Sequence, residues 1–148
     1  RSAGGGPLVL PDSTGPPLRI CFDVDGVLAD HTGSPDYPDR HPYPHAAAVV
    51  RLLEARGHTI VVQTARYMAR SRGDQRRAHD AGLPELVAWL SRHDIPFDEV
   101  YLGKPSADVY IDDRGCRVES DRGNADWAEN FLPLLERVQA EKKGREAA

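Results

Sequence analysis

Asp23 and Asp25 flank a single valine at the end of the apolar run RICFDVDG, residues 19–26. Crowding two like charges beside a core is costly unless a cation or a proton compensates them. Side chains alternate along extended chain, so both carboxylates can point one way while Val24 faces the packed layer. Three more apolar runs end in polar groups: Thr64 closes HTIVVQT, Lys104 follows FDEVYLG, and Asp112-Asp113 close ADVYIDD. Carboxylates gathered with one lysine and one hydroxyl make a seat for Mg²⁺, which takes oxygen ligands and commonly shares them with a substrate phosphate. Taken singly, each piece reads as a turn, a cap or solvated surface. Their recurrence at four successive run ends points to a phosphate site.

The elements that must position these groups follow from the apolar pattern. Residues 18–24 read as a fully buried strand that takes Cys21 into the core, ended by Gly26. DHTGSPDYPDRHPYP carries four prolines and reads as a loop or flap. Over 45–56, Ala46, Val49, Val50 and Leu53 share one helical stripe, with Gly57 placed to end the helix. A second strand is expected over 58–64, and a second helix over LPELVAWLSRH with Pro84 in its first turn. Two short strands, 97–103 and 107–113, come next. Trp127, Phe131, Leu134, Leu135 and Val138 keep helical spacing, Pro133 kinks that helix or begins a new one, and QAEKKGREAA reads as a frayed tail. Strands alternating with helices imply an α/β, Rossmann-like, doubly wound and mainly parallel sheet with helices on both faces. In such sheets ligands bind beyond the carboxyl ends of the strands, where all four polar endings fall. One spacing resists this scheme. Only eight residues separate Lys104 from Asp112, whereas adjacent parallel strands need a crossover of about a dozen or more; the last two strands are therefore not neighbours, or one is not parallel.

FDVDGVLAD, VVQTAR, GKP and VYIDD resemble, in order, the four signature motifs of the haloacid dehalogenase superfamily, over roughly residues 18–113. DEVYLGKPSADVYIDD is similar to small bacterial hydrolases of that superfamily associated with capsule and sugar-phosphate biosynthesis. The resemblance implies a phosphatase in which Asp23 is the nucleophile that becomes an aspartyl-phosphate, and Asp25 protonates the leaving oxygen and then deprotonates water. By the same resemblance Thr64 hydrogen-bonds a phosphoryl oxygen, Lys104 holds the nucleophile, and Asp112 binds Mg²⁺ with Asp23 and the Asp25 carbonyl. Asp113 acts through water or the outer shell. The presence of Asp25 argues against a dehalogenase, which has no need of that acid. Superfamily members usually close the site with a cap domain. The segments that would house one hold 38 residues (26–63) and 39 residues (65–103), and each must also supply a crossover helix, so a capless enzyme is expected. Its site would be fenced by the flap, the arginine-rich loop or a neighbouring subunit of a homo-oligomer.

Thr64, Ala65 and Arg66 form the expected phosphate contact with Lys104. Arg66 heads a stretch of five arginines, RYMARSRGDQRR, the rest of which reads as a solvated face. His31 could line the substrate opening; His41 and His45 lack the company that structural zinc requires. The 148 residues fit one domain, expected over 18–140, with the glycine- and proline-rich 1–17 set apart as a flexible extension, either an expression remnant or a trimmed natural one, and 141–148 as a tail. A formal charge of −4 disfavours nucleic acid as a general partner. Two cysteines and no apolar span near 18 residues favour a reduced, cytoplasmic setting away from membranes. A small phosphorylated metabolite, such as a sugar phosphate, is the expected substrate, with a nucleotide or polynucleotide phosphate end as the alternative. A signalling receiver domain fits less well, because its phosphorylated aspartate follows the third strand.

Overall fold

The computed structural model describes residues 15–118 and 127–147, the side chains of Trp127 and Asn130 excepted. The expected N-terminal extension up to residue 14 and the packing of Trp127 lie outside them. Strands β1 (Arg19–Asp23), β2 (Thr59–Thr64) and β3 (Glu99–Leu102) alternate with helices α1 (Ala46–Ala55) and α2 (Gln75–Arg92), and α3 (Leu132–Ala147) follows. Short 3₁₀ turns occupy Tyr37–Asp39 and Trp127–Asn130. The sheet is parallel in the order β1-β2-β3, with Cys21 beside Val61 and Val61 beside Glu99. This is a small α/β domain with a parallel sheet flanked by helices, of Rossmann-like type.

Helix α1 buries Ala46, Val49, Val50 and Leu53, the stripe its spacing predicts, and ends before Gly57 at φ 92°. Helix α2 starts eight residues earlier than Leu83, at an N-cap Asp74 whose side chain accepts from the Arg77 amide at 3.1 Å. Pro84 therefore lies inside the helix rather than in its first turn. Gly82 lets α2 approach β3: a Cβ there would meet Leu102 Cδ2 at 2.5 Å and Tyr67 Cδ2 at 2.6 Å. Pro133 begins a new helix, as one of the two expected outcomes, and α3 runs on to Ala147 through the expected tail. Gln139 Nε2 of α3 donates to the Pro16 carbonyl at 3.1 Å, and Lys142 Nζ to that of Pro17 at 2.6 Å.

Ile20, Phe22 and Val24 alternate onto the face shared with Ile60, Val62 and Leu102, and the apolar sides of all three helices gather there. Phe131 meets Phe22 edge to face at 5.6 Å. On the opposite face Arg19, Cys21 and Tyr101 are exposed, while Val61 of the central strand is buried. Cys21 is accordingly not a core residue, because its parity in β1 groups it with Arg19 and Asp23 rather than with Ile20 and Phe22. The expected strand 107–113 does not form, and Val109, Tyr110 and Ile111 are exposed. Four residues after β3 are too few for the usual parallel crossover, and this run has no ladder partner among the described residues.

Candidate active site

β1 ends at Asp23, and the chain then turns sharply. The Val24 carbonyl accepts from the amides of Val27, Leu28 and Ala29 at 2.8–3.1 Å, and Gly26 adopts φ 85°. This knot fixes Asp23 and Asp25 on the sheet's carboxyl edge. The Asp23 side chain is about one-third exposed; Oδ1 accepts from the Val24 amide at 2.8 Å, and Oδ2 lies 3.5 Å from Lys104 Nζ. Burial pushes the Asp23 carboxyl above its usual range, against the opposing pull of Lys104 and the Val24 amide. Lys104 is held in place by its own amide, which donates to the Thr64 carbonyl at 3.3 Å. The structure therefore brings Asp23, Thr64 and Lys104 to one edge despite the short spacing that follows Lys104. Lys104 Nζ also sits 4.2 Å above the Tyr110 ring.

Asp25 is held differently. Arg66 Nε and Nη2 each donate to its carboxylate at 2.7 Å, and Arg40 Nη1 lies 2.9 Å from Oδ1. Burial raises the Asp25 pKa, but the hydrogen bonds and charges of Arg66 and Arg40 outweigh it, leaving the group below the usual carboxylate range. That clamp favours the ionised form, the opposite of what a leaving-group acid needs near neutral pH. Arg66, expected at an open rim, is 3% exposed and spends its fork on Asp25. Its Nη1 is buried and finds no acceptor among the described residues. Thr64 is 1% exposed, with Oγ1 accepting from the Arg66 amide at 3.1 Å. Its hydroxyl faces inward rather than a solvent-open pocket. Ala65 is half-buried between them, and His31 is exposed in the flap.

Sequence reasoning missed Arg40 and Tyr37. The Tyr37 ring has the guanidinium carbons of Arg66, Arg40 and Arg70 at 4.4, 5.0 and 5.5 Å from its centroid, and Trp89 Nε1 donates to the Arg40 carbonyl at 2.8 Å. Only the composition of the flap, an aromatic and an arginine among prolines, hinted at them. Flap and arginine-rich loop thus meet over Asp25. An open depression of about 550 Å³, lined by Met68, Arg72, Gln75, Pro105 and Ser106 among others, adjoins Lys104 along the chain but does not include Asp23.

Asp112 and Asp113 are exposed, and Asp112 Oδ1 accepts from the Arg114 amide at 2.7 Å. Among the described residues no three acidic, histidine or cysteine side chains are grouped to hold a metal ion. The expected Mg²⁺ set of Asp23, Asp25, Asp112 and Asp113 is therefore not assembled within one chain. The missing piece is the unformed fourth strand that was to deliver the last two. Nor is any helix among the described residues long and apolar enough to cross a membrane.

No family model matches the sequence, and no curated protein does. Among solved structures, the Pnkp1/Rnl/Hen1 complex and the Pnkp1/Rnl/Hen1 RNA repair complex each contain a chain that aligns at a TM-score of 0.45, with 17% and 14% identity over 68% and 73% of this chain and 32% of theirs. That likeness is too distant to carry an argument. The crystal structure of an MCSG target from Vibrio cholerae superposes at a TM-score of 0.67, with 27% identity over 84% of this chain and 98% of that one. The chain therefore shares its α/β fold, over nearly the whole length of that protein, with a solved bacterial structure.

Proposed function

We propose that this chain is a phosphatase that hydrolyses phosphomonoesters of small metabolites, sugar phosphates foremost, through an aspartyl-phosphate on Asp23, in the manner of the haloacid dehalogenase superfamily. The observation that carries the reading is the Asp23–Lys104 pair: a partly exposed carboxylate at a strand's carboxyl end, with an ammonium 3.5 Å from its Oδ2. A carboxylate nucleophile splits a slow hydrolysis into two easier steps. In the first, an Asp23 oxygen attacks phosphorus and the P–O bond to the leaving group breaks, the departing alkoxide taking its proton from solvent water; in the second, water attacks the aspartyl-phosphate, its proton passing to Asp25, and inorganic phosphate is released. Lys104 neutralises charge on the equatorial oxygens, the kind of preorganised stabilisation that dominates phosphoryl transfer. Asp25, kept ionised by Arg66 and Arg40, is in the protonation state that accepts the proton of the attacking water, as a weaker base than an unclamped carboxylate. Mg²⁺ belongs to the reading as cofactor, although its donors are divided within a single chain.

The test is phosphate release from a panel of sugar phosphates, nucleotides and phosphorylated acids, with Asp23→Asn as the blank. The expected result is turnover by the wild type that stops with EDTA and returns with Mg²⁺, and none by Asp23→Asn. An amide cannot form the acyl phosphate. Release by Asp23→Asn equal to wild type would overturn the assignment.

A further inference from the structure

β3 ends at Leu102, and the chain leaves the sheet through the buried Gly103 at φ 103°, a conformation that residues with a side chain rarely adopt. The peptide group that follows, joining Gly103 to Lys104, is held at both poles. Its N–H donates to the Thr64 carbonyl of β2 at 3.3 Å, and its carbonyl accepts from Nε2 of Gln75, the first residue of α2, at 2.9 Å. We propose that Gln75 is a positioning residue for Lys104: it locks this peptide plane, and through the plane the direction in which the lysine side chain leaves the backbone toward Asp23.

Glycine cannot supply that lock itself, because it leaves the adjoining peptide more rotational freedom than any other residue does. Bonded at the N–H alone, the plane would still swing about that bond; the second bond removes the swing. Packing agrees with this role. The Gln75 side chain lies against the bare face of Gly103, where a Cβ would meet Gln75 Cγ at 3.2 Å and Gln75 Cβ at 3.3 Å. Helix α2, for its part, does not need a glutamine there. Asp74 already caps it by accepting from the Arg77 amide at 3.1 Å, and any good helix former would serve at the position that follows.

A lysine stem is long and flexible, so its ammonium stays over one carboxylate only if the root of the stem is fixed. Lys104 Nζ lies 3.5 Å from Asp23 Oδ2 and 4.2 Å from the centroid of the Tyr110 ring. Those two contacts hold the tip, and the Gly103–Lys104 peptide holds the root. Misplacing a group at a reacting centre by about 1 Å can cost about 100-fold in rate. Gln75 also walls the open depression beside Lys104, where water replaces a lost donor. The effect is therefore limited to the worth of one ordinary hydrogen bond, about 3- to 10-fold.

The consequence for turnover rests on the phosphatase reading; the lock on the peptide does not, and two readouts separate them. Gln75→Met keeps an unbranched side chain against Gly103 and removes the donor. Amide hydrogen exchange followed by NMR is expected to show the Lys104 N–H exchanging about 10-fold faster than in the wild type. The Ala78 N–H, bonded to the Asp74 carbonyl at 3.0 Å in the first turn of α2, is expected to keep its rate. With the sugar phosphate that the wild type hydrolyses fastest, kcat is expected to fall about 3- to 10-fold while KM stays within about twofold. Gln75→Glu, which has the glutamine's shape but turns an acceptor toward the Gly103 carbonyl, is expected to move both readouts the same way. An acid is favoured in a first helical turn, so this variant carries the test if the methionine chain does not fold. A Lys104 amide that exchanges at the wild-type rate, or an Ala78 amide accelerated equally with it, overturns the lock. Faster exchange at Lys104 with unchanged kcat in an active enzyme overturns the positioning role and leaves the phosphatase standing. Faster exchange in a protein whose wild type releases no phosphate from the panel overturns the phosphatase and leaves the lock standing.

Discussion

Replacing Asp25 with alanine would strand a buried cation. Arg66 has a side chain only 2% exposed, and Asp25 accepts both of its short hydrogen bonds; Arg40, at 13%, is the third donor. Three charge-assisted bonds at about 1.5–3 kcal/mol each set a ceiling near 4.5–9 kcal/mol. Water entering beside the shortened side chain recovers part of that, and removing one partner of a buried ion pair costs about 3–5 kcal/mol. Set against a domain stability of about 5–15 kcal/mol, this is a large fraction. At about 2–4 °C per kcal/mol for a chain of this size, the expected fall in Tm is roughly 6–20 °C. Urea titration and thermal melting followed by circular dichroism measure it, and a double-mutant cycle with Arg66→Met isolates the pair. The acid limb carries a sign. The Asp25 pKa lies below the ordinary 3.8, so its contribution is fully present above that value and is lost as pH falls through the lower folded-state pKa. The alanine variant should lack that part of the acid dependence. A cost below about 1 kcal/mol, the range of exposed pairs, would show that Arg66 is not sequestered and that the clamp does not hold Asp25 ionised.

Burial raises Asp23 and Lys104 opposes it, so carbon-detected NMR should find its carboxyl titrating above 3.8, and Lys104→Met should move it higher still; a downward movement would contradict the geometry. Gly82→Ala should cost about 1–3 kcal/mol in denaturant titrations, because the clash with Leu102 and Tyr67 outweighs the roughly 1 kcal/mol that alanine contributes to an ordinary helix interior; a stabilised variant would refute the close approach of α2 to β3. Since Asp25 is kept ionised, rates across aryl phosphates of graded leaving-group acidity should fall steeply as the leaving group becomes more basic. A flat dependence, with chemistry shown to be rate-limiting by a burst-free time course, would mean that an acid does protonate it.

Much of the fold could be read from local pattern. The α1 stripe, the strand end at Thr64, those of the first and third strands to within one residue, and the break at Pro133 followed from spacing and turn chemistry. Cys21 was misjudged because an unbroken apolar run hides its parity: RICF reads as buried throughout, whereas Cys21 is exposed and Ile20 and Phe22 are not. The start of α2 was missed because QRRAHDA has no apolar stripe, and its helical state rests on the Asp74 cap. In the site, residue types at run ends were legible, since strands deliver them to one edge. What Arg66 binds was not, because a bidentate pair between positions 41 apart in sequence is a tertiary fact, and Arg40 entered through the flap in the same way. The fourth strand failed for a reason visible in the chain itself: a ladder needs a neighbour, and the tether after Lys104 is shorter than the usual parallel crossover.

The hydrogen bonds from Gln139 and Lys142 to the carbonyls of Pro16 and Pro17 join segments 123 and 125 residues apart. During synthesis, then, β1 leaves the ribosome long before the helix that closes over its entry, and the Phe131 ring just ahead of it that covers Phe22, exist. Until α3 emerges, the first strand to be made must wait with its aromatic side chain unsheltered. Chains halted before residue 131 should accordingly be the ones that chaperones retain and proteases clear.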